Sequence, residues 1–191
     1  MNSPEMQTVV FSRHRHRPFL APIWLTALLV AVIVAAAVLL YQSAQTTTVV
    51  VVRPGERPLG SIADPPLVIE GERRAERLAH LFGATASPGR ITAIYVSAAR
   101  RARQTAAPLA ARLGLRPIVF DDGDPGSIAG RALSEHRGET VMIVDSGSTV
   151  SQLVEALSGV RPTPVAEREY GSIYIVSVPI LGSAGVLQLH Y

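Results

Sequence analysis

The sequence predicts a layered α/β fold with a mainly parallel sheet, preceded by one transmembrane helix. Two observations carry this prediction. In the last three quarters of the 191-residue chain, short β-branched runs alternate with amphipathic helical patterns, which is typical of strand–helix–strand units. Ahead of them, no residue from Pro18 to Val52 is charged, which is typical of a membrane helix. We therefore expect a tethered α/β domain.

The apolar run Phe19–Leu40 predicts the membrane helix. Its 22 residues would form a helix of about 33 Å, enough to cross a hydrocarbon core of about 30 Å. Trp24 and Tyr41 suit the two membrane interfaces. A cleaved signal peptide and a buried core helix are the alternatives, but the run is longer than the apolar core of most signal peptides. We expect an uncleaved anchor over residues 19–41.

A basic arm, residues 1–18, precedes this helix. It holds three arginines and one glutamate, a net charge of +2. By the positive-inside rule the arm stays in the cytoplasm and the C-terminal domain lies outside, in the periplasm or beyond the cell. His14 and His16 are interpreted as polar residues at the lipid surface. We expect no metal site and no other cofactor.

The composition argues against nucleic-acid binding. All 18 basic residues are arginine, and the net charge of the whole chain is +3. Because the arm carries +2, the rest of the chain carries only +1, whereas nucleic-acid binding requires a clustered basic face. The chain has no cysteine, so a disulfide framework is excluded.

A linker over residues 42–48 leads into the domain, which we expect over 49–191. The predicted strands are Thr46–Arg53, Ile91–Val96, Arg116–Phe120, Thr140–Val144 and a closing hairpin of Ser172–Val178 and Gly185–Leu189. The predicted helices are Glu70–Phe82, Ala98–Leu113, Ser127–His136 and Thr149–Leu157. The first strand is almost wholly apolar, as in a central strand that is buried on both faces. Gly114 stands where a helix C-terminal cap is expected.

Two segments are similar to a known family. The first strand runs into Arg53-Pro54-Gly55-Glu56, and Ser97 begins the run Ser-Ala-Ala-Arg-Arg-Ala-Arg-Gln-Thr-Ala. Together they resemble the histidine phosphatase (phosphoglycerate mutase-like) superfamily, whose first strand ends in Arg-His-Gly-Glu. The resemblance implies a three-layer fold and a phosphoester site at the carboxyl ends of the strands.

The resemblance also implies that the catalytic histidines are missing. The histidine that accepts the phosphoryl group corresponds to Pro54, and the second histidine corresponds to Ser146. Proline offers neither a nucleophilic atom nor a backbone N–H. Ser146 as a replacement nucleophile lacks the Gly-x-Ser-x-Gly pattern. We therefore expect no confident catalytic residue.

The residues that remain could bind an anion. Arg53 and Arg101 correspond to the core arginines of the family and can make charge-assisted bonds to a phosphate. Ser146 and Thr149 lie at a predicted helix start, where backbone N–H groups favour anions. These four residues are the predicted phosphate-binding set.

The carboxylates of the site leave alternatives open. Glu56 and Asp122 are the candidate proton donors, and Asp121 and Asp124 are further candidates by position. In the alternative to anion binding, the two arginines pair with Glu56 or Asp145 and hold the fold together. Asp145 would in either case oppose strong phosphate binding, because it places a negative charge near the pocket.

The sequence as a whole predicts a membrane-anchored, catalytically inactive pseudo-phosphatase. Its partners would be the membrane and either a phosphorylated small molecule or a protein. One alternative is an active phosphomonoesterase that uses a nucleophile other than histidine. Another is a structural envelope protein that keeps only the fold.

Overall fold

The structure, a computed structural model, describes residues 23–43, 45–56, 58, 63–84, 89–121, 124–162 and 170–191. The chain divides into two units, Met1–Leu40 and Tyr41–Tyr191. The predicted basic arm and the first residues of the predicted span lie outside the described residues.

Helix α1 covers Ile23–Ser43 and is apolar on all sides. The mean hydropathy of Ile23–Tyr41 is 2.9. By its length and composition α1 could cross a membrane, although a signal sequence near an N-terminus has the same features. The structure therefore supports a candidate span and leaves its orientation as a prediction.

The second unit is a six-stranded sheet with helices on both faces. The strands are β1 Thr46–Val52, β2 Ile91–Ser97, β3 Ile118–Phe120, β4 Thr140–Val144, β5 Ser172–Pro179 and β6 Gly185–His190. The helices are α2 Ile69–Gly83, α3 Arg100–Leu113, α4 Pro125–Glu135 and α5 Gly147–Ser158. The strand order is β3-β2-β4-β1-β5-β6. The first four strands pair in parallel, and β5 pairs antiparallel with β1 and β6. This arrangement confirms the α/β fold with a mainly parallel sheet.

Strand β1 lies between two hydrophobic cores. Val49 and Val51 pack into the core under α4 and α5, which includes Leu153. Val50 and Val52 pack into the core under α2 and α3. Since side chains alternate between the two faces of a strand, a continuous valine run fills both cores at once, as expected for a buried parallel strand.

Three helix starts differ from their predictions by two residues. Helix α3 begins at Arg100 rather than Ala98, and α5 begins at Gly147 rather than Thr149. Helix α4 begins at Pro125, whereas the pattern predicted Ser127. Asp124 is its N-cap, and the side chain accepts a hydrogen bond from the Ser127 backbone N–H at 3.2 Å. Asp-Pro is a strong helix-start signal, because proline suits the first helical position and aspartate caps it. Gly114 ends α3 in the left-handed conformation, with φ of 69°, as predicted.

Candidate functional site

The candidate residues meet at the carboxyl edge of the parallel strands. The strand ends are in register, with Val144 of β4 paired with both Val52 of β1 and Val96 of β2. Arg53 and Asp145 follow directly on β1 and β4, and the Asp145 N–H donates to the Val52 carbonyl at 3.2 Å. This is the edge at which open α/β sheets bind their ligands.

A buried threonine joins the end of β1 to α3. The Gly55 N–H donates to Thr105 Oγ1 at 3.0 Å, and that hydroxyl donates to the Arg101 carbonyl at 2.8 Å. Thr105 is 1% exposed. The turn of α3 that carries Arg101 is thereby fixed beside the segment Arg53-Pro54-Gly55. Asp64 holds the start of α3, where its carboxylate accepts from the Arg100 N–H at 2.9 and 3.2 Å.

The segment after β1 also passes very close to α2. A Cβ atom at Gly55 would lie 2.9 Å from the Gly71 Cα, and one at Gly71 would lie 3.0 Å from the backbone N of Glu56. The Val68 N–H donates to the Glu56 carbonyl at 3.1 Å. The two glycines therefore allow a backbone approach that a side chain would block. The sequence contains both glycines, but no sequence pattern predicted that their backbones would be in contact.

Glu56 is held by Arg74. The guanidinium Nε lies 3.0 and 3.2 Å from the two carboxylate oxygens, and Nη2 lies 2.5 Å from Oε1. Arg74 also donates to the Tyr191 carbonyl at 2.7 Å. Burial acts to raise the pKa of Glu56, but the hydrogen bonds and charge of Arg74 outweigh it, so the pKa lies below its usual value. An ionised carboxylate with a bidentate partner is poorly suited to donate a proton.

Sequence reasoning did not find Arg74. It offered Glu56 as a partner for the core arginines or as a proton donor, whereas the ion pair is made 18 residues further along the chain. Helical periodicity places Arg74 on α2 without indicating that β1 ends beside it. No local signal links the two residues.

The two core arginines are both partly exposed at this edge. The Arg53 guanidinium carbon lies 5.0 Å from the centre of the Tyr170 ring, a cation–π distance. Such stacking positions the guanidinium while leaving its charge in place. Arg101 lies on the first turn of α3.

The start of α5 uses several of its polar groups within the chain. Asp145 is 3% exposed, and its Oδ1 accepts from the Ser146 N–H at 2.6 Å. The Ser146 and Thr149 hydroxyls are 2.8 Å apart, and the Thr149 N–H donates to the Ser146 carbonyl at 3.1 Å. Donors that were predicted for a phosphate are therefore engaged, and a buried carboxylate lies beside them.

The remaining candidates contribute little at this site. Pro54 is buried, so even its ring is withdrawn from a ligand. Asp122 lies outside the described residues, Asp121 is exposed, and Asp124 caps α4. In the part of the chain that the structure describes, no group of three His, Cys, Asp or Glu side chains could hold a metal ion.

A groove of about 780 Å³ lies between α2 and α3. Its lining does not include Arg53, Arg101 or Asp145. It is formed by apolar residues with a charged rim, namely Leu67, Ile69, Glu72, Arg73, Ala75, Glu76, Arg77, Gln104, Ala107 and Pro108. The groove therefore does not contain the two core arginines.

Comparison with known proteins agrees with this architecture. Residues 46–123 match the model of the histidine phosphatase superfamily, branch 1. The protein histidine phosphatase SixA complexed with tungstate is 22% identical with a TM-score of 0.62, over 75% of this chain and 96% of that one. A mycobacterial glucosyl-3-phosphoglycerate phosphatase is 17% identical with a TM-score of 0.54, over 76% and 98%. Bacillus stearothermophilus YhfR is 24% identical with a TM-score of 0.56, over 73% and 95%. No curated protein matches the chain. At these identities the solved structures establish the fold.

Proposed function

We propose that this chain is a membrane-anchored pseudo-phosphatase, with a histidine phosphatase-like domain that does not transfer phosphoryl groups. Pro54 is the observation that carries the proposal. It stands at the end of β1 where the family has its nucleophile, and it is buried. A proline ring has no lone pair to offer to phosphorus, and loss of a nucleophile costs about a million-fold in kcat in a well-studied hydrolase.

No other described residue is placed to take over the chemistry. The Ser146 hydroxyl contacts the hydroxyl of Thr149 rather than a base. His80 contacts Arg112 near the end of α2, and His136 contacts Glu139 before the start of β4. Both histidines are thus at the edge opposite the site.

His190 is the described histidine nearest to the carboxyl edge. Its Nδ1 lies 3.4 Å from the hydroxyl of Ser172, which is 1% exposed. A serine that is buried to this extent cannot reach a phosphoester in solution. An active phosphomonoesterase would therefore need a nucleophile other than these serines and histidines.

The proposed pocket binds a phosphorylated ligand weakly. Charge-assisted bonds from Arg53 and Arg101 would contribute about 1.5–3 kcal/mol each. The buried Asp145 carboxylate opposes them, and Pro54 removes a backbone donor. A net of about 4 kcal/mol corresponds to a Kd of about 1 mM. The arginines orient an anionic ligand or the phosphorylated surface of a partner protein, and no bond is broken.

The proposed topology keeps the arm in the cytoplasm and the domain outside. It rests on the length of α1 and on the arginines before it, through the positive-inside rule. Reporter fusions after Tyr191 should be active only with an extracytoplasmic reporter. A cytoplasmic signal, or a mature protein that begins near Ala44, would overturn the anchor.

The activity is tested with the full chain purified in detergent. We expect no hydrolysis of aryl phosphates above the buffer rate. Turnover that persists when Arg53 and Arg101 are both changed to alanine is contamination. Turnover that is abolished by those changes would refute the pseudo-phosphatase and favour the enzyme, and His190→Ala would then test the base.

Phosphate binding is tested by the melting temperature of the same preparation. Phosphate should raise it with a midpoint of about 1 mM. Asp145→Asn should tighten binding about tenfold, because it removes a charge that opposes the anion. Asp121→Asn, at an exposed position that follows β3, is the matched control and should change nothing. If phosphate at 20 times that midpoint raises the melting temperature of neither wild type nor Asp145→Asn, the proposed anion pocket is wrong and only the fold is retained.

A further inference from the structure

A short linker joins the candidate membrane span to β1, at the edge of the sheet opposite the site. The span ends at Tyr41 and β1 begins at Thr46. The five residue steps from Tyr41 to Thr46 reach at most about 18 Å even when fully extended. If α1 crosses a membrane, the edge where β1 begins is therefore held within about that distance of the lipid surface.

Three exposed arginines occupy the starts of the neighbouring parallel strands. Arg137 precedes β4, Arg90 precedes β2 and Arg116 precedes β3. In the strand order these are the first, second and third strands on one side of β1. At about 4.8 Å per strand, Arg137 and Arg90 lie roughly 5 and 10 Å across the sheet from the tether. Arg116 lies roughly 14 Å across the sheet and about 7 Å beyond the start of β2, because Ile118 pairs with Tyr95. The loop of Arg137 is bonded to β1, because the Gly138 N–H donates to Thr47 Oγ1 at 3.0 Å.

The described residues of this edge are basic as a group. They include the strand starts and the helix ends that face the same way. The charged members are Arg90, Arg112, Arg116, Arg131, Arg137 and Arg161 against Glu135, Glu139 and Glu155, a net charge of +3. The glutamates are engaged locally, with Arg131, His136 and Arg161 respectively. The edge thus concentrates positive charge in a domain whose own net charge is only +1.

The other side of the tether is apolar. Thr46 of β1 pairs with Pro179 at the end of β5, so the tip of the β5–β6 hairpin lies at the same edge. Ile180 and Leu181 in that tip are 49% and 71% exposed. Exposed apolar side chains next to basic ones are typical of surfaces that bind the membrane interface.

We propose that this edge docks on the anionic lipid headgroups of the membrane that holds α1. The arginines of the strand starts face the lipid phosphates, and Ile180 and Leu181 enter the headgroup layer. The inference rests on the proposed anchor. Docking is a further claim than the anchor, because a tether alone would leave the domain free to rotate relative to the membrane. In the docked state Arg53 would face away from the membrane. It follows the far end of β1, one strand length or about 23 Å from the docked edge.

The test uses the full chain reconstituted in vesicles. Because the chain has no cysteine, Leu181→Cys gives a single site for a fluorescent label, and Asp121→Cys gives the matched label at the carboxyl edge. Spin-labelled lipids in the headgroup region should quench the label at position 181 strongly and the label at position 121 weakly. Adding phosphatidylglycerol to phosphatidylcholine should increase quenching at 181 only.

Charge-matched variants test the arginines. Changing Arg90, Arg116 and Arg137 together to glutamine should remove the effect of phosphatidylglycerol, since each arginine near an anionic surface contributes about fivefold to docking. The control changes Arg73, Arg100 and Arg103, which are exposed near the starts of α2 and α3, and should keep the effect.

Two outcomes overturn the inference for different reasons. If the chain resists an alkaline wash of the vesicles but both labels are quenched equally, the anchor stands and docking is wrong. If the wash releases the chain, the anchor itself fails and docking fails with it. Equal loss of the lipid effect in both triple variants would show that total charge, and not this edge, attracts the membrane.

Discussion

Two sets of residues at the carboxyl edge differ in what they do. The framework, which comprises Gly55, Gly71, Thr105 and the Glu56–Arg74 pair, is joined by a close backbone approach and by hydrogen bonds of 2.5–3.2 Å. The second set, Pro54 and Ser146, we call the chemical positions, because the proposed loss of phosphoryl transfer rests on them. If that proposal holds, the contacts that fold this edge are separable from the positions at which the reaction would take place.

The largest expected effect is at the framework. Gly55→Ala should lower the free energy of unfolding by about 3 kcal/mol, because its Cβ would meet the Gly71 backbone at 2.9 Å and a backbone contact yields only if the chain shifts. Denaturant unfolding of the full chain in detergent measures this. Gly130→Ala in α4 is the control. It meets no atom within 4 Å and should be neutral or stabilising by up to about 1 kcal/mol. Equal effects would mean that the approach of Gly55 to Gly71 is not tight.

A smaller loss is expected at the ion pair. Glu56→Gln should cost about 2 kcal/mol at neutral pH, because it removes charged hydrogen bonds from a partly buried arginine. The pKa of Glu56 is lowered in the folded chain, so its contribution is complete above the unfolded value of about 4.3. It is lost as the pH falls through the folded value.

The difference between wild type and Glu56→Gln should therefore be constant from neutral pH to about pH 5 and shrink in stronger acid. Glu76→Gln, an exposed position on the same helix, controls for the loss of a charge and should have little effect. A difference that is as large at pH 3 as at pH 7 would show that the ionised carboxylate is not what stabilises the fold.

The sequence predicted the strands and helices but not the contacts between residues that are distant in the chain. Strand β4 was predicted at its exact bounds because one threonine and four apolar residues, all buried, stand between Glu139 and Asp145. Such local periodicity fixes which residues enter the cores. The Glu56–Arg74 pair and the Tyr170 ring over Arg53 were not predicted. They join residues that are distant in the chain, and their side chains have no periodic pattern.

The smallest effect is expected at a chemical position. Ser146→Ala removes a hydroxyl that contacts Thr149 at 2.8 Å but leaves the backbone bond to Asp145 intact, so the free energy of unfolding should fall by at most about 1 kcal/mol. Ser134→Ala, which removes an exposed hydroxyl bonded to the Arg131 carbonyl in α4, is the matched control. Both should be measured by denaturant unfolding under the conditions used for Gly55→Ala. If Ser146→Ala instead costs as much as Gly55→Ala, Ser146 belongs to the framework. Ser146 would then have a structural role, and the proposed separation of fold from chemistry would rest on Pro54 alone.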